Sequence, residues 1–113
     1  MEFLKTTQEA IAQLDAGWRN ELGFPSVPML KHGSLLVKVY APRGDDPQQP
    51  HTRDEVYVVA KGSGEFLCGG ERKAFKAMDL LFVPAGVTHR FEKFSDDLTV
   101  WVMFYGPEGG EQP

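Results

Sequence analysis

Three side chains of metal-binding type stand at His51, Glu55 and His89 in a chain with only three histidines. His51 and Glu55 are four residues apart at the mouth of an apolar run, Val56 to Ala60, and on extended backbone an even spacing directs both to one face. His89 follows Pro84-Ala85-Gly86-Val87-Thr88, a turn that reverses the chain and launches a segment able to return beside the first. Two imidazoles and a carboxylate can occupy one face of an octahedral divalent ion and leave positions for substrate or oxygen. Such an ion polarises a carbonyl, ionises a bound water or binds dioxygen. A glutamate heading an apolar strand is costly to bury without a partner, and an ion would supply one. His32, between Lys31 and Gly33 in a turn-like segment, is left out of the set.

Parity extends the site. Arg53 shares the even spacing of His51 and Glu55, so it is a candidate to reach into the pocket and hold an anionic group, against the alternative of a solvent-facing loop arginine. Tyr57 shares parity with Glu55, and Phe91 with His89, which points both inward near the ion as core or as pocket wall. Asp54 has the opposite parity and reads as a supporting or surface group. Cys68, between Leu67 and Gly69, reads as a small packing residue rather than a nucleophile.

These residues need a β scaffold. Thr6 and Glu9 form a capping-box pattern ahead of Ile11, Leu14, Trp18 and Leu22, which predicts a short helix from about Thr7 to Ala16, ended by Gly17. Gly23, Pro25 and Pro28 predict an irregular stretch through Leu30, so residues 1–33 are expected to form a helix and an irregular arm. From Ser34 the period changes to short runs rich in Val, Phe and Tyr: Leu35 to Ala41, Glu55 to Ala60, Glu65 to Cys68, Glu71 to Phe75, Leu80 to Val83, His89 to Phe94 and Leu98 to Tyr105. Gly69-Gly70 suits a tight hairpin. Residues 34–105 are thus expected to form an antiparallel sandwich or barrel, with 106–113 a flexible tail on a single domain of 1–113. The last run alternates Thr99, Trp101, Met103 and Tyr105 with Val100, Val102 and Phe104, and the pattern leaves open which set faces the cavity.

Composition narrows the setting. The 113 residues, 42% hydrophobic and 25% charged, are enough for one hydrophobic core. Twelve Lys and Arg against 16 Asp and Glu, with no basic block, make nucleic acid a poor partner. No apolar run approaches the ~20 residues of a membrane span, and the first residues lack a signal-peptide core. One cysteine points to a reducing compartment, and the cytoplasm is the expected location. Both faces of the last run and much of Leu35 to Tyr40 are apolar, more than one small interior needs, which leads to the expectation of a homodimer.

The stretch His51-Thr-Arg-Asp-Glu55-Val-Tyr-Val-Val-Ala-Lys-Gly62 resembles the first cupin motif, His-x-His followed by Glu, an apolar strand and Gly. Pro84-Ala-Gly86-Val-Thr-His89 is similar to the core of the second, Pro-x-Gly-x-x-His. The resemblance spans Gln49 to Lys93 and implies a small single-domain cupin: an all-β antiparallel barrel of the double-stranded β-helix or jelly-roll type, with one divalent ion (zinc, iron or manganese) per chain. It implies His51, Glu55 and His89 as ligands, and places Gln49 where the family has its first motif histidine, so that an amide oxygen is the candidate fourth donor. Met78 stands where the second motif opens with Gly, and Lys93 where it closes with Asn; both bear on turn geometry.

The function this implies is a metal-dependent enzyme of dioxygenase, isomerase or polyketide-cyclase type. It would act on a small oxygenated or aromatic molecule, with Glu55 and Tyr57 as catalytic candidates and Arg53, Tyr57 and Phe91 shaping the pocket. Small cupins similar to this one are associated with polyketide ring modification. The alternatives are a non-catalytic ligand-binding or sensor module with a structural ion, and a metal-free structural dimer.

Overall fold

The computed structural model describes residues 3–112. Its one helix, α1 (Thr7–Asp15), begins where the capping pattern places it: Thr6 Oγ1 accepts the Glu9 amide at 3.1 Å. It ends at Ala16, ahead of Gly17 at φ 102°. Eight strands follow: β1 (Ser26–His32), β2 (Leu35–Tyr40), β3 (Asp54–Lys61), β4 (Gly64–Cys68), β5 (Glu71–Phe75), β6 (Leu80–Val83), β7 (His89–Glu92) and β8 (Thr99–Tyr105). They form a five-stranded sheet in the order β1-β2-β8-β3-β6 and a three-stranded sheet in the order β5-β4-β7, with every pairing antiparallel. This is the expected all-β barrel with a short N-terminal helix. No helix among the described residues is long and apolar enough to cross a membrane.

Two expectations about the termini are corrected. Residues 26–32 are a strand, not an irregular arm. Pro28 is tolerated because β1 is an edge strand, where a missing N–H breaks no ladder, and the register shifts between Pro28 and Leu30. The tail is also tied down: Gly109 N–H donates to Thr52 O at 2.7 Å and Glu111 N–H to Asp54 Oδ2 at 2.8 Å, partners that lie far away in sequence.

The inner faces of the two sheets enclose an aromatic core. Phe91 lies 5.1 Å from Tyr57, 4.8 Å from Phe66 and 5.4 Å from Phe75, measured between ring centroids. Each such ring contributes roughly 1.5–3 kcal/mol through burial. On β8 the inward set is Val100, Val102 and Phe104, because these pack with that core while Trp101 faces the opposite side. There α1 lies over the sheet: Ala10 and Leu14 meet Val27, Met29, Val39 and Trp101, and Trp101 Nε1 donates to Thr7 Oγ1 at 2.8 Å. Part of the surplus apolar surface that suggested a partner is therefore covered by the chain's own helix. Leu80 and Phe82, on the outer side of edge strand β6, stay exposed.

The connections carry the turn chemistry. Gly69 and Gly70, at φ 60° and 87°, close the β4–β5 hairpin. Gly62, which ends the first motif, has φ 95°, and a Cβ there would lie 2.9 Å from Leu98 Cα. Met78 (φ 75°) and Lys93 (φ 49°) are the non-glycine residues held in the left-handed region, at the positions where the cupin pattern has Gly and Asn.

Candidate metal centre

His51 lies just ahead of the bend that leads into β3, Glu55 is the second residue of β3, and His89 opens β7 in the other sheet. The site thus joins the two sheets at one end of the barrel. Backbone bonds hold the pieces in register: Gly86 N–H donates to His51 O at 2.7 Å, and Ala85 N–H to Asp54 Oδ1 at 2.9 Å. Asp54 is therefore a buried clamp between the β3 entry, the turn before His89 and the tail. These backbone hydrogen bonds hold its carboxyl below the usual aspartate range.

One ligand atom from each of His51, Glu55 and His89 lies within 4.8 Å of the others. Glu55 Oε1 is 3.2 Å from His89 Nε2 and 3.9 Å from His51 Nε2. Glu55 and His89 are only 1% and 2% exposed, which leaves no room for solvation to stabilise a carboxylate. Even so, Glu55 Oε1 has no hydrogen-bond partner. His89 Nδ1 lies 2.8 Å from Val87 O, so a neutral ring donates its Nδ1 proton there and turns the Nε2 lone pair toward Glu55. Converging lone pairs of this kind suit a cation, and the donor set fits a divalent ion with open positions.

The protonation tendencies agree with that field. Burial lowers the His51 pKa, against the opposing pull of Glu55. Burial acts the same way on His89, but the Glu55 carboxylate facing its Nε2 and the Val87 carbonyl beside its Nδ1 outweigh it and raise the pKa. Burial, reinforced by Glu55, pushes the Tyr57 phenol well above its ordinary value, so it stays protonated.

A residue not singled out in the sequence enters here. Gln48 Oε1 sits 3.4 Å from His51 Nε2 and 3.2 Å from His89 Nε2, and accepts the Tyr57 hydroxyl at 3.0 Å. Its Nε2 donates to Asp46 Oδ2 at 2.6 Å. Asp46 is buried and also accepts the Tyr40 hydroxyl and the Phe91 amide. Gln49, the expected fourth donor, instead lines the cavity wall with Pro50 and makes no hydrogen bond to the three ligands. Residues 48–53 are not in a strand, so alternation does not govern which amide turns inward.

Two further pocket assignments are corrected. Arg53 Nη1 donates to the backbone oxygens of Ser34 and Gly106, which draws it away from the cavity, because it too lies in the bend where strand parity does not apply. Phe91 is core, enclosed by Tyr57, Phe66 and Phe75. Tyr57 does line the cavity, which holds about 310 Å³ and whose walls include Phe24, Lys38, Tyr40, Val102 and Phe104. Lys38 joins the wall as well; its signal in the sequence is a lone charge within Leu-Leu-Val-Lys-Val-Tyr. Cys68 is half-buried with its thiol pKa raised by burial, as a packing residue should be.

Residues 36–105 match the cupin domain family, so the chain belongs to the cupins. An uncharacterised protein of Streptomyces coelicolor is 43% identical over 81 residues, covering 70% of this chain and 77% of that one. The structure of KdgF from a Halomonas species superposes with a TM-score of 0.71 at 17% identity, covering 96% of both chains. A cupin 2 conserved barrel domain protein from Salinispora arenicola gives 0.68 at 18% identity, over 94% of this chain and 89% of that one. At these identities the two structures establish the shared barrel, and the chemistry rests on this chain's own residues.

Proposed function

We propose that this cupin is a metal-dependent enzyme acting on a small oxygenated or aromatic molecule held in the barrel cavity. The observation that carries the reading is the buried Glu55 carboxylate, which faces two imidazoles, lacks a hydrogen bond at Oε1, and borders a cavity of about 310 Å³. His51, Glu55 and His89 are the proposed ligands, with Gln48 rather than Gln49 as the neutral fourth donor. A bound divalent ion would supply Lewis-acid polarisation of a substrate or water oxygen.

The chain's own groups do the rest. Glu55 is the proposed base, since it is the one carboxylate in the cavity wall. Tyr57 keeps its proton and orients Gln48 Oε1 by donating to it. Phe24, Val102 and Phe104 keep water from the reacting end. The single thiol agrees with a cytoplasmic setting. For the proposed homodimer, Leu80 and Phe82 are the apolar surface to test, by sedimentation of the L80K/F82K variant.

The deciding experiment is elemental analysis of protein purified without a histidine tag. About one divalent ion per chain is expected, lost in H51A and H89A and retained in H32A. Stoichiometric metal in the H51A/H89A double variant would refute the site. A metal that binds tightly but exchanges no water would favour a structural ion in a ligand-binding module.

A further inference from the structure

The wall of the cavity is mostly carbon, and Lys38 is the one Lys or Arg in it. Lys38 stands in the middle of β2, opposite Val102 of β8, which in turn is opposite Tyr57 of β3. Lys38, Val102 and Tyr57 therefore form one row across the sheet, all three lining the cavity, with Phe104 one pleat along on the same face. The Lys38 ammonium lies 5.9 Å from the centroid of the Phe104 ring. Among the described residues it has no ion-pair partner.

Glu55, the one acid in the cavity wall, and Asp46, which holds Gln48, are already committed. Glu55 is turned to His51 and His89, while Asp46 accepts from Tyr40, Gln48 and the Phe91 amide. Lys38 is therefore left without a carboxylate of its own in a cavity walled by Leu22, Phe24, Val102 and Phe104. Lys38 is half-buried, so water solvates its ammonium only in part, and a ligand of opposite sign would pair with it. A strand built as Leu-Leu-Val-Lys-Val-Tyr has no packing need for a lysine at that point.

We infer that the cavity selects a small organic carboxylate, whose anionic group pairs with Lys38 and whose apolar or aromatic body lies against Phe24, Val102 and Phe104. The ligand's other end then faces His51 and Glu55, which line the same cavity. A volume of about 310 Å³ is at the lower end of ligand pockets, so the molecule is small. The inference names the substrate class for the enzyme reading above, yet Lys38 lies on the wall and not among the proposed ligands, so the two can fail separately.

The test is calorimetric titration, at a pH near neutrality, of benzoate, phenylacetate and hexanoate against their neutral amides. It uses zinc-loaded wild type, the zinc-free H51A/H89A variant, K38M and K38R, each checked for an unchanged thermal melt. At least one acid should bind wild type tenfold or more tighter than its amide. The preference should collapse to within about twofold in K38M, survive in K38R, and persist, though weakened, in H51A/H89A. A preference kept in K38M, or no acid outbinding its amide in wild type, overturns the inference. A preference that depends on Lys38 but not on the histidines upholds it even if the metal reading falls.

Discussion

Asp46 Oδ2 accepts the Gln48 side-chain amide at 2.6 Å, and this bond decides which way the Gln48 oxygen points. With its NH₂ group held by a buried carboxylate, the amide must present Oε1 to His51, His89 and the Tyr57 hydroxyl. A neutral amide oxygen thereby stands beside the imidazole nitrogens without belonging to either motif.

Removing that oxygen should weaken the ion and leave its three main ligands. Q48A should raise the dissociation constant for zinc by about tenfold or more, the scale of supporting-ligand losses, whereas Q49A should stay within about twofold. Competition with a chromogenic chelator measures both. Equal losses in the two variants would return the role to Gln49.

Asp46 also carries stability. D46A strands the Tyr40 hydroxyl, the Phe91 amide and the Gln48 amide in the interior, and should cost about 3 kcal/mol, since each unsatisfied group costs roughly 1–3. Denaturant melts of the metal-free protein give the value. A loss below about 1 kcal/mol would mean that water replaces the carboxylate.

Metal affinity should depend on pH through His89 first. Its raised pKa means that protons compete for Nε2 from a higher pH than at His51, whose pKa is lowered. In the metal-free protein the His89 contribution to stability is full below the ordinary histidine pKa and is lost as pH rises through the folded value. Metal binding has the opposite sign, because the ion needs the unprotonated ring. The difference in Tm between zinc-loaded and chelated protein should therefore widen from about pH 5 to about pH 8. A difference that narrows over that span would contradict the ligand role of His89.

Asp54 offers a second pH dependence of opposite direction. Its carboxyl is held below the usual range, so the stability it contributes is present above the ordinary aspartate pKa and is lost as pH falls through the folded value. D54A should open the tail and the Ala85 turn together, seen as lost hydrogen-exchange protection at the Ala85 and Glu111 amides. Protection retained at Glu111 would show that Gly109 alone anchors the tail.

Met78 is 80% exposed and sits at φ 75°, so its side chain contributes little packing and its backbone is in a region that suits glycine. M78G should stabilise the chain by about 1 kcal/mol, raising Tm by about 4 °C. A lower Tm would show that the flexibility glycine adds to the unfolded chain outweighs the relief of strain.

The sequence alone determined strands β2 to β8, the Gly69–Gly70 hairpin, the Thr6 cap and the two motifs, because each rests on period, turn chemistry or spacing within a few residues. His51, Glu55 and His89 were legible for the same reason: the motifs name them, and Glu55 needed only the alternation of β3 to face inward. The rest was decided by contacts between distant segments. Residues 48–53 lie outside any strand, so no periodicity could tell Gln48 from Gln49 or hold Arg53 in the pocket; Asp46, fixed by Tyr40 and Phe91, chose between the amides. Pro28 read as a breaker because a sequence does not reveal which strand will be an edge. That α1 folds over Val39 and Trp101, and so covers part of the second apolar face of β8, is likewise shown by nothing local. Lys38 acquired its meaning only when the sheet set it opposite Val102 and in one row with Tyr57, where a solitary charge within an apolar strand becomes a charged group in the wall of a cavity.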